Sequence, residues 1–98
     1  MVDQGDILKV EGIKSQILVI SKSLYNESGK VVACPLLNSQ TDSSFLVEIQ
    51  LADEKYFVES DSVKKIDIAK RGYRVVGRAP LAKLMIVLDM VQAIIEIV

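Results

Sequence analysis

Short runs of apolar residues follow one another through the first two thirds of the chain: "DILKV", "SQILVIS", "KVVACPLL", "SSFLVEIQL" and "KYFVE". They are separated by turn-forming residues at Glu11-Gly12, Asn26 to Gly29, Asn38 to Ser43 and Ala52 to Glu54. Runs of branched aliphatics bounded by Gly, Asn, Asp and Ser predict strands, because those residues supply the backbone angles a tight turn needs. Several such strands at this spacing predict a small barrel or sandwich. In "FLVEIQL", Phe45, Val47, Ile49 and Leu51 fall on one face and Leu46, Glu48 and Gln50 on the other, the alternation of a strand with one side on the core. "SQILVIS" and "KVVACPLL" do not alternate, which predicts burial on both faces in the middle of the sheet.

Between two of these runs, "SKSLYNESG" predicts one helical turn or less, ending at an Asn/Gly turn. In "ESDSVKKIDIAKRGYRVVGRA" the pattern is weaker: "SVKKIDI" alternates partly, and "RGYRVVGRA" fits either a strand or the run-in to a final helix. From Pro80 onward the pattern predicts a helix of about five turns, with proline suited to the first turn. On it Asp89, Gln92 and Glu96 form one narrow polar stripe, Lys83 lies off the stripe, and the rest of the circumference is apolar. That stripe is too thin for an ordinary surface helix. A membrane span is disfavoured, since each of Lys83, Asp89 and Glu96 would cost about 2.5 to 3.5 kcal/mol at mid-bilayer. The expectation is a helix packed on the sheet on one side and on a partner subunit on the other, giving a homodimer.

Composition narrows the function classes. The 98 residues suffice for a single domain, 1–98, with one core. Half are apolar, 26% are charged and the net charge is -1, a balance that selects no partner by bulk charge. The start "MVDQGDILKVEG" has no apolar stretch followed by a cleavage site, which argues against a secretory signal. One cysteine, Cys34, cannot form an internal disulfide, and histidine is absent. These features predict a cytoplasmic protein and remove histidine-based triads and zinc sites. The carboxylate pairs Glu59/Asp61 and Asp89/Glu96 have no second ligand type nearby, so neither a metal nor another cofactor is expected. Nor do "GIKSQ" or "RGYRVVGR" have the glycine spacing of a phosphate loop.

Lys64, Lys65, Lys70, Arg71, Arg74 and Arg78 place half of the twelve Lys and Arg residues in one segment, offset there only by Asp67. Such a cluster fits a phosphate backbone or an acidic partner chain. It equally fits an edge strand kept soluble by lysines. Tyr73, inside the cluster, is placed either to stack on a base or to pack. Cys34, between an aliphatic run and Pro35, reads as a small buried hydrophobe, with no histidine to make it a nucleophile.

The order of these pieces resembles the MazF/PemK toxins, the cytoplasmic endoribonucleases of type II toxin-antitoxin pairs. The resemblance rests on "GDIL" opening the first strand, "QILVIS", the "YN" turn, "VVACPLL", "FLVEI", "DSVKKID" and a closing helix, and it spans nearly the whole chain. It implies a mainly β fold, a small SH3-like barrel with a long C-terminal helix, usually homodimeric. It implies metal-independent cleavage of single-stranded RNA, in which an arginine at the mouth of the second strand and a Ser or Thr at the end of the third handle the phosphate and the proton transfers. A guanidinium there would neutralise charge developing on the phosphorane oxygens.

The chain departs from that pattern at both positions. Where the family reads Arg-Pro, this sequence reads Ser15-Gln16, with Lys14 the nearest cation; where the hydroxyl is expected stands Leu37, followed by Asn38 and Ser39. Three functions therefore compete. In the first, an active ribonuclease uses Lys14 and Ser15 with Ser39 or Thr41 as catalytic groups, while Gln16, Asn38, Lys64, Lys65, Arg71, Tyr73 and Arg74 bind RNA. In the second, an inactive relative binds RNA, an antitoxin peptide or another protein in the same groove. The third is a gyrase poison resembling the CcdB group, against which the tail "IIEIV" lacks the tryptophan-containing end that activity uses.

Overall fold

The computed structural model describes residues 1–95, so Glu96 of the predicted polar stripe lies outside the described residues. Seven strands and three helices follow in the order β1 (Asp6–Val10), β2 (Ile17–Val19), α1 (Ser23–Asn26), β3 (Lys30–Leu37), β4 (Leu46–Leu51), β5 (Glu54–Glu59), β6 (Lys64–Asp67), α2 (Ile68–Arg71), β7 (Tyr73–Arg78) and α3 (Leu81–Ile95). All pairings are antiparallel, in the spatial order β4-β5-β3-β2-β1-β7, with β6 added on β3. The sheet curls into a half-barrel, and α3 closes one side of it.

The unalternating runs are explained by apolar clusters on both faces of the central strands. Ile7, Leu18, Cys34 and Leu36 join Val47, Ile49 and Val58, and on these residues Leu84 and Val87 of α3 are seated. The alternate residues, Leu8, Val10, Ile17, Val19, Val31 and Ala33, form a second cluster with Val2 and Ile68. Ile7, Leu8, Leu18 and Val19 have no exposed surface, so both faces of β1 and β2 are covered there, and Lys9 is the only residue of the two strands that is not buried.

β3 runs along both halves. Lys30 to Ala33 pair with β6, Leu36 and Leu37 pair with β5, and the strand's other edge pairs with β2. Pro35 falls at the changeover. The Leu36 N–H donates across to the Gln16 carbonyl at 2.9 Å, so an amide at position 35 would point the other way, where β6 has ended and β5 begins. A residue without an N–H loses nothing there.

The ambiguous segment becomes a strand, a helical turn and a second strand. Asp67 ends β6 and caps α2, its Oδ1 accepting the Lys70 N–H at 3.1 Å. "YRVVGR" is then β7, paired with β1 and not a run-in to α3. Its register shifts between Ile7 and Leu8, which face Gly77 and Val75, leaving Val76 as a bulge. In α3, Leu84, Val87, Leu88 and Val91 face the core, the three- and four-residue spacing of one helix stripe. Leu81, Met85, Ile86, Ile94 and Ile95 remain exposed. Among the described residues no helix is long and apolar enough to cross a membrane.

Candidate nucleic-acid interface

The loop between β1 and β2 forms one wall of a groove and the β6–α2 segment forms the other. Three bonds fix the loop. Lys9 Nζ donates to the carbonyls of Ile13 at 3.0 Å and Lys14 at 2.9 Å, and the Glu11 N–H donates to the Gly72 carbonyl at 3.0 Å. Opposite, the Gly29 carbonyl accepts the N–H groups of both Ile68 and Ala69 at 3.1 Å, which seats α2 against β3. Between the walls lies a cavity of about 360 Å³ with a floor of Ile13, Ile17, Ala33 and Pro35 and a rim that includes Ser15, Lys64, Lys65 and Arg71.

Four of the residues singled out from the sequence, Ser15, Lys64, Lys65 and Arg71, thus meet in one groove. Tyr73 and Arg74 line a neighbouring depression of about 670 Å³ together with Lys9 and Glu11, and Ile13 is common to both. Lys14 is exposed on the loop and is not among the groove-lining residues. Gln16 faces the opposite side of the sheet, beside the β4–β5 turn, Tyr56 and Val76, where its Oε1 is buried without a hydrogen-bond partner. Asn38, Ser39 and Thr41 lie exposed in the connection from β3 to β4, where Thr41 Oγ1 accepts the Ser43 N–H at 3.4 Å. The structure does not bring these three to the groove.

The sequence reading passed over Lys9, whose signal was a lone cation inside the apolar run "DILKV", and Asp67, which lines the groove while capping α2. It also counted Arg78 with the basic cluster. That guanidinium instead holds the buried Asp6 carboxylate at 2.8 Å and the Gln4 carbonyl at 3.0 Å, tying the end of β7 to the N-terminal segment.

Electrostatically the groove is net cationic: Lys64, Lys65 and Arg71 line it with one carboxylate, Asp67. The ion pairs among the described residues are Lys55–Glu48 and Arg78–Asp6, and no groove cation takes part in either. Unpaired cations beside a hydroxyl and an aliphatic floor can hold a phosphodiester chain with its sugars against the floor. Among the described residues no cluster of His, Cys, Asp or Glu could hold a metal ion. Cys34 is no nucleophile: burial, with Asp61 and Glu59 adding repulsion, pushes its thiol up to about 12.

The geometry also tests the two positions where the sequence departs from the toxins. Ile17 pairs with Pro35, and the Gln16 carbonyl accepts the Leu36 N–H. Continuing that register places Ser15 opposite Leu37, on the face that carries Ile17, Ala33 and Pro35. Of the two positions, Ser15 lines the groove and Leu37 does not.

A curled antiparallel half-barrel, closed by a C-terminal helix and carrying a basic groove beside its first loop, defines the class of small toxin barrels. The family model described as PemK-like, MazF-like toxin of type II toxin-antitoxin system matches residues 4–95, and the chain belongs to that family. Solved structures agree in fold. The MazE-MazF complex (Form-I) from Deinococcus radiodurans superposes with a TM-score of 0.86 at 20% identity, covering 98% of this chain and 97% of that one. MazF (Form-I) from the same organism gives 0.85 at 20% identity, over 98% and 97%. An endoribonuclease in complex with its cognate antitoxin from Mycobacterial species gives 0.78 at 17% identity, over 95% and 93%. No curated protein matches the chain by sequence.

Proposed function

We propose that this toxin-family protein binds single-stranded RNA in the groove between the β1–β2 loop and β6–α2, and that its power to cut RNA is strongly reduced. The observation that carries this reading is the register of β2 on β3, Ile17 on Pro35 with the Gln16 carbonyl accepting the Leu36 N–H, which extrapolates to Ser15 opposite Leu37. In the resemblance these are the positions of the phosphate-binding arginine and the hydroxyl, and here the guanidinium is replaced by a short alcohol and the hydroxyl by an isobutyl group. The remaining candidates, Ser39 and Thr41, sit on the exposed β3–β4 connection. Loss of one donor to a developing oxyanion costs about 10²- to 10³-fold in rate. Binding by contrast needs only the cations and the apolar floor, and both are present.

Two partners accompany the reading. The exposed aliphatics of α3 support a homodimer through that helix, and the relative solved in complex with its cognate antitoxin supports an antitoxin partner for this chain. Three samples incubated with a long single-stranded RNA in EDTA test the proposal: the parent, Lys14→Ala, and the double variant Ser15→Arg/Leu37→Thr. The parent should retard the RNA in a gel with little cleavage, and the double variant should cleave at least a hundred-fold faster. Rapid cleavage by the parent that Lys14→Ala abolishes would establish the active-ribonuclease reading instead.

A further inference from the structure

We infer that Arg71 supplies the phosphate-binding guanidinium of the groove, reaching it from α2 and not from the mouth of β2. The inference rests on the RNA-binding reading and adds to it the residue that grips the backbone.

Three observations converge. First, Arg71 lies across the β1–β2 loop: a Cβ built on Gly12 would come within 3.0 Å of Arg71 Nη1. Gly12 has a φ of +83°, where any other L-residue is strained, and the guanidinium end of the exposed Arg71 side chain lies beside that turn. Second, Arg71 lines the same cavity as Ser15, the residue that stands where the family arginine is missing. Third, the Arg71 side chain has neither a hydrogen-bond acceptor nor a carboxylate partner among the described residues, while Arg78, at the far end of β7, has both. A guanidinium carries five N–H donors in a planar fork matched to phosphate oxygens. At Arg71 that fork lies at the groove with no protein partner for its donors.

The layout favours a nucleic-acid strand over an acidic peptide. Lys64, Lys65 and Arg71 border one depression with Asp67, and Tyr73, Arg74 and Lys9 border the next with Glu11, Ile13 lying between them, so each depression keeps a net positive charge. Cations recurring along a path, with an aromatic ring beside them, match a chain that carries one charge and one stackable base per unit.

Fluorescence anisotropy with a short labelled single-stranded RNA, titrated at several salt concentrations and checked by gel to be intact afterwards, tests this. Arg71→Ala should weaken binding at least ten-fold and lower the slope of log affinity against log salt by about 0.7, the value of one phosphate contact on a single strand. Arg71→Lys should restore the slope but only part of the affinity, since an ammonium keeps the charge and loses the fork. Lys22→Ala, a cation outside the groove, should match the parent. If the parent binds RNA and Arg71→Ala binds it equally well with the same slope, the assignment of Arg71 is overturned while RNA binding stands. If Arg71→Ala loses a labelled oligoglutamate and keeps RNA, the groove is a peptide site and the assignment is likewise overturned. A parent that binds no RNA at low salt overturns both.

Discussion

Cys34 illustrates how position governs the chemistry of a single side chain. Cys34 is fully buried between β2 and the α3-facing core, and its thiol is raised from 9.0 to about 12. Since only the thiolate reacts, alkylation by iodoacetamide at pH 8 should run about a thousand-fold slower in the folded protein than in urea, read as the rate of mass increase. A rate in the native protein equal to the unfolded one would contradict the burial. The same shift gives a pH dependence of known sign. Folding keeps the thiol protonated, so this contribution to stability is complete below pH 9 and is lost as pH rises from 9 toward 12, where the unfolded chain releases a proton that the folded one retains. The sequence already identified Cys34 as a buried hydrophobe, because an aliphatic run and a proline flank it. The candidates Lys14, Ser39 and Thr41 do not line the groove, because their placement follows from loop paths that no local pattern encodes.

At the scale of elements, α2 is the piece on which the groove depends, and it is only four residues long. Its attachment rests on Gly29, whose carbonyl receives two N–H groups from α2 and whose φ is +88°. A Cβ there would stand 2.9 Å from the Ala69 Cβ. Gly29→Ala combines backbone strain with a collision against α2, and should lower stability by about 1–3 kcal/mol. A lower urea midpoint with an unchanged slope is the expected record, and an unchanged midpoint would show that α2 can shift without cost. The strands around it were legible from alternation and turn residues, and the half-turn at "SLYN" from its Asn and Gly. β7 was not. "RGYRVVGR" has exposed Val75 and Val76 next to one another, so neither the strand nor the helix period stands out. Pairing with β1, a contact distant in sequence, is what made it a strand.

For the whole molecule, the leading feature is apolar surface left outside the fold. Most of the large exposed hydrophobics belong to α3 and to β7, which is an edge of the sheet: Leu81, Met85, Ile86, Ile94 and Ile95 on the helix, Tyr73, Val75 and Val76 on the strand. The thin polar stripe predicted from sequence is the same fact in another form, since Asp89 and Gln92 are exposed while their helix neighbours include uncovered aliphatics. Light scattering at tens of micromolar should return twice the 10.8 kDa chain mass, and Met85→Glu should return the single mass by placing a charge in the contact. A parent that is monomeric under these conditions would end the α3 interface. Association energy of this kind cannot be read from the strands, and only the mismatch between a helix and its surroundings signals it.

β3 is the strand common to both halves, holding β6 and α2 through its first residues and β5 through its last. The groove and the seat of α3 are therefore built on the two ends of one backbone segment, and neither has a sheet of its own to survive on. A substitution beneath the helix should therefore lower the share of chains with an intact groove without touching any residue of the groove itself, so scarcity of the folded form is a second route by which such a variant reaches a phenotype.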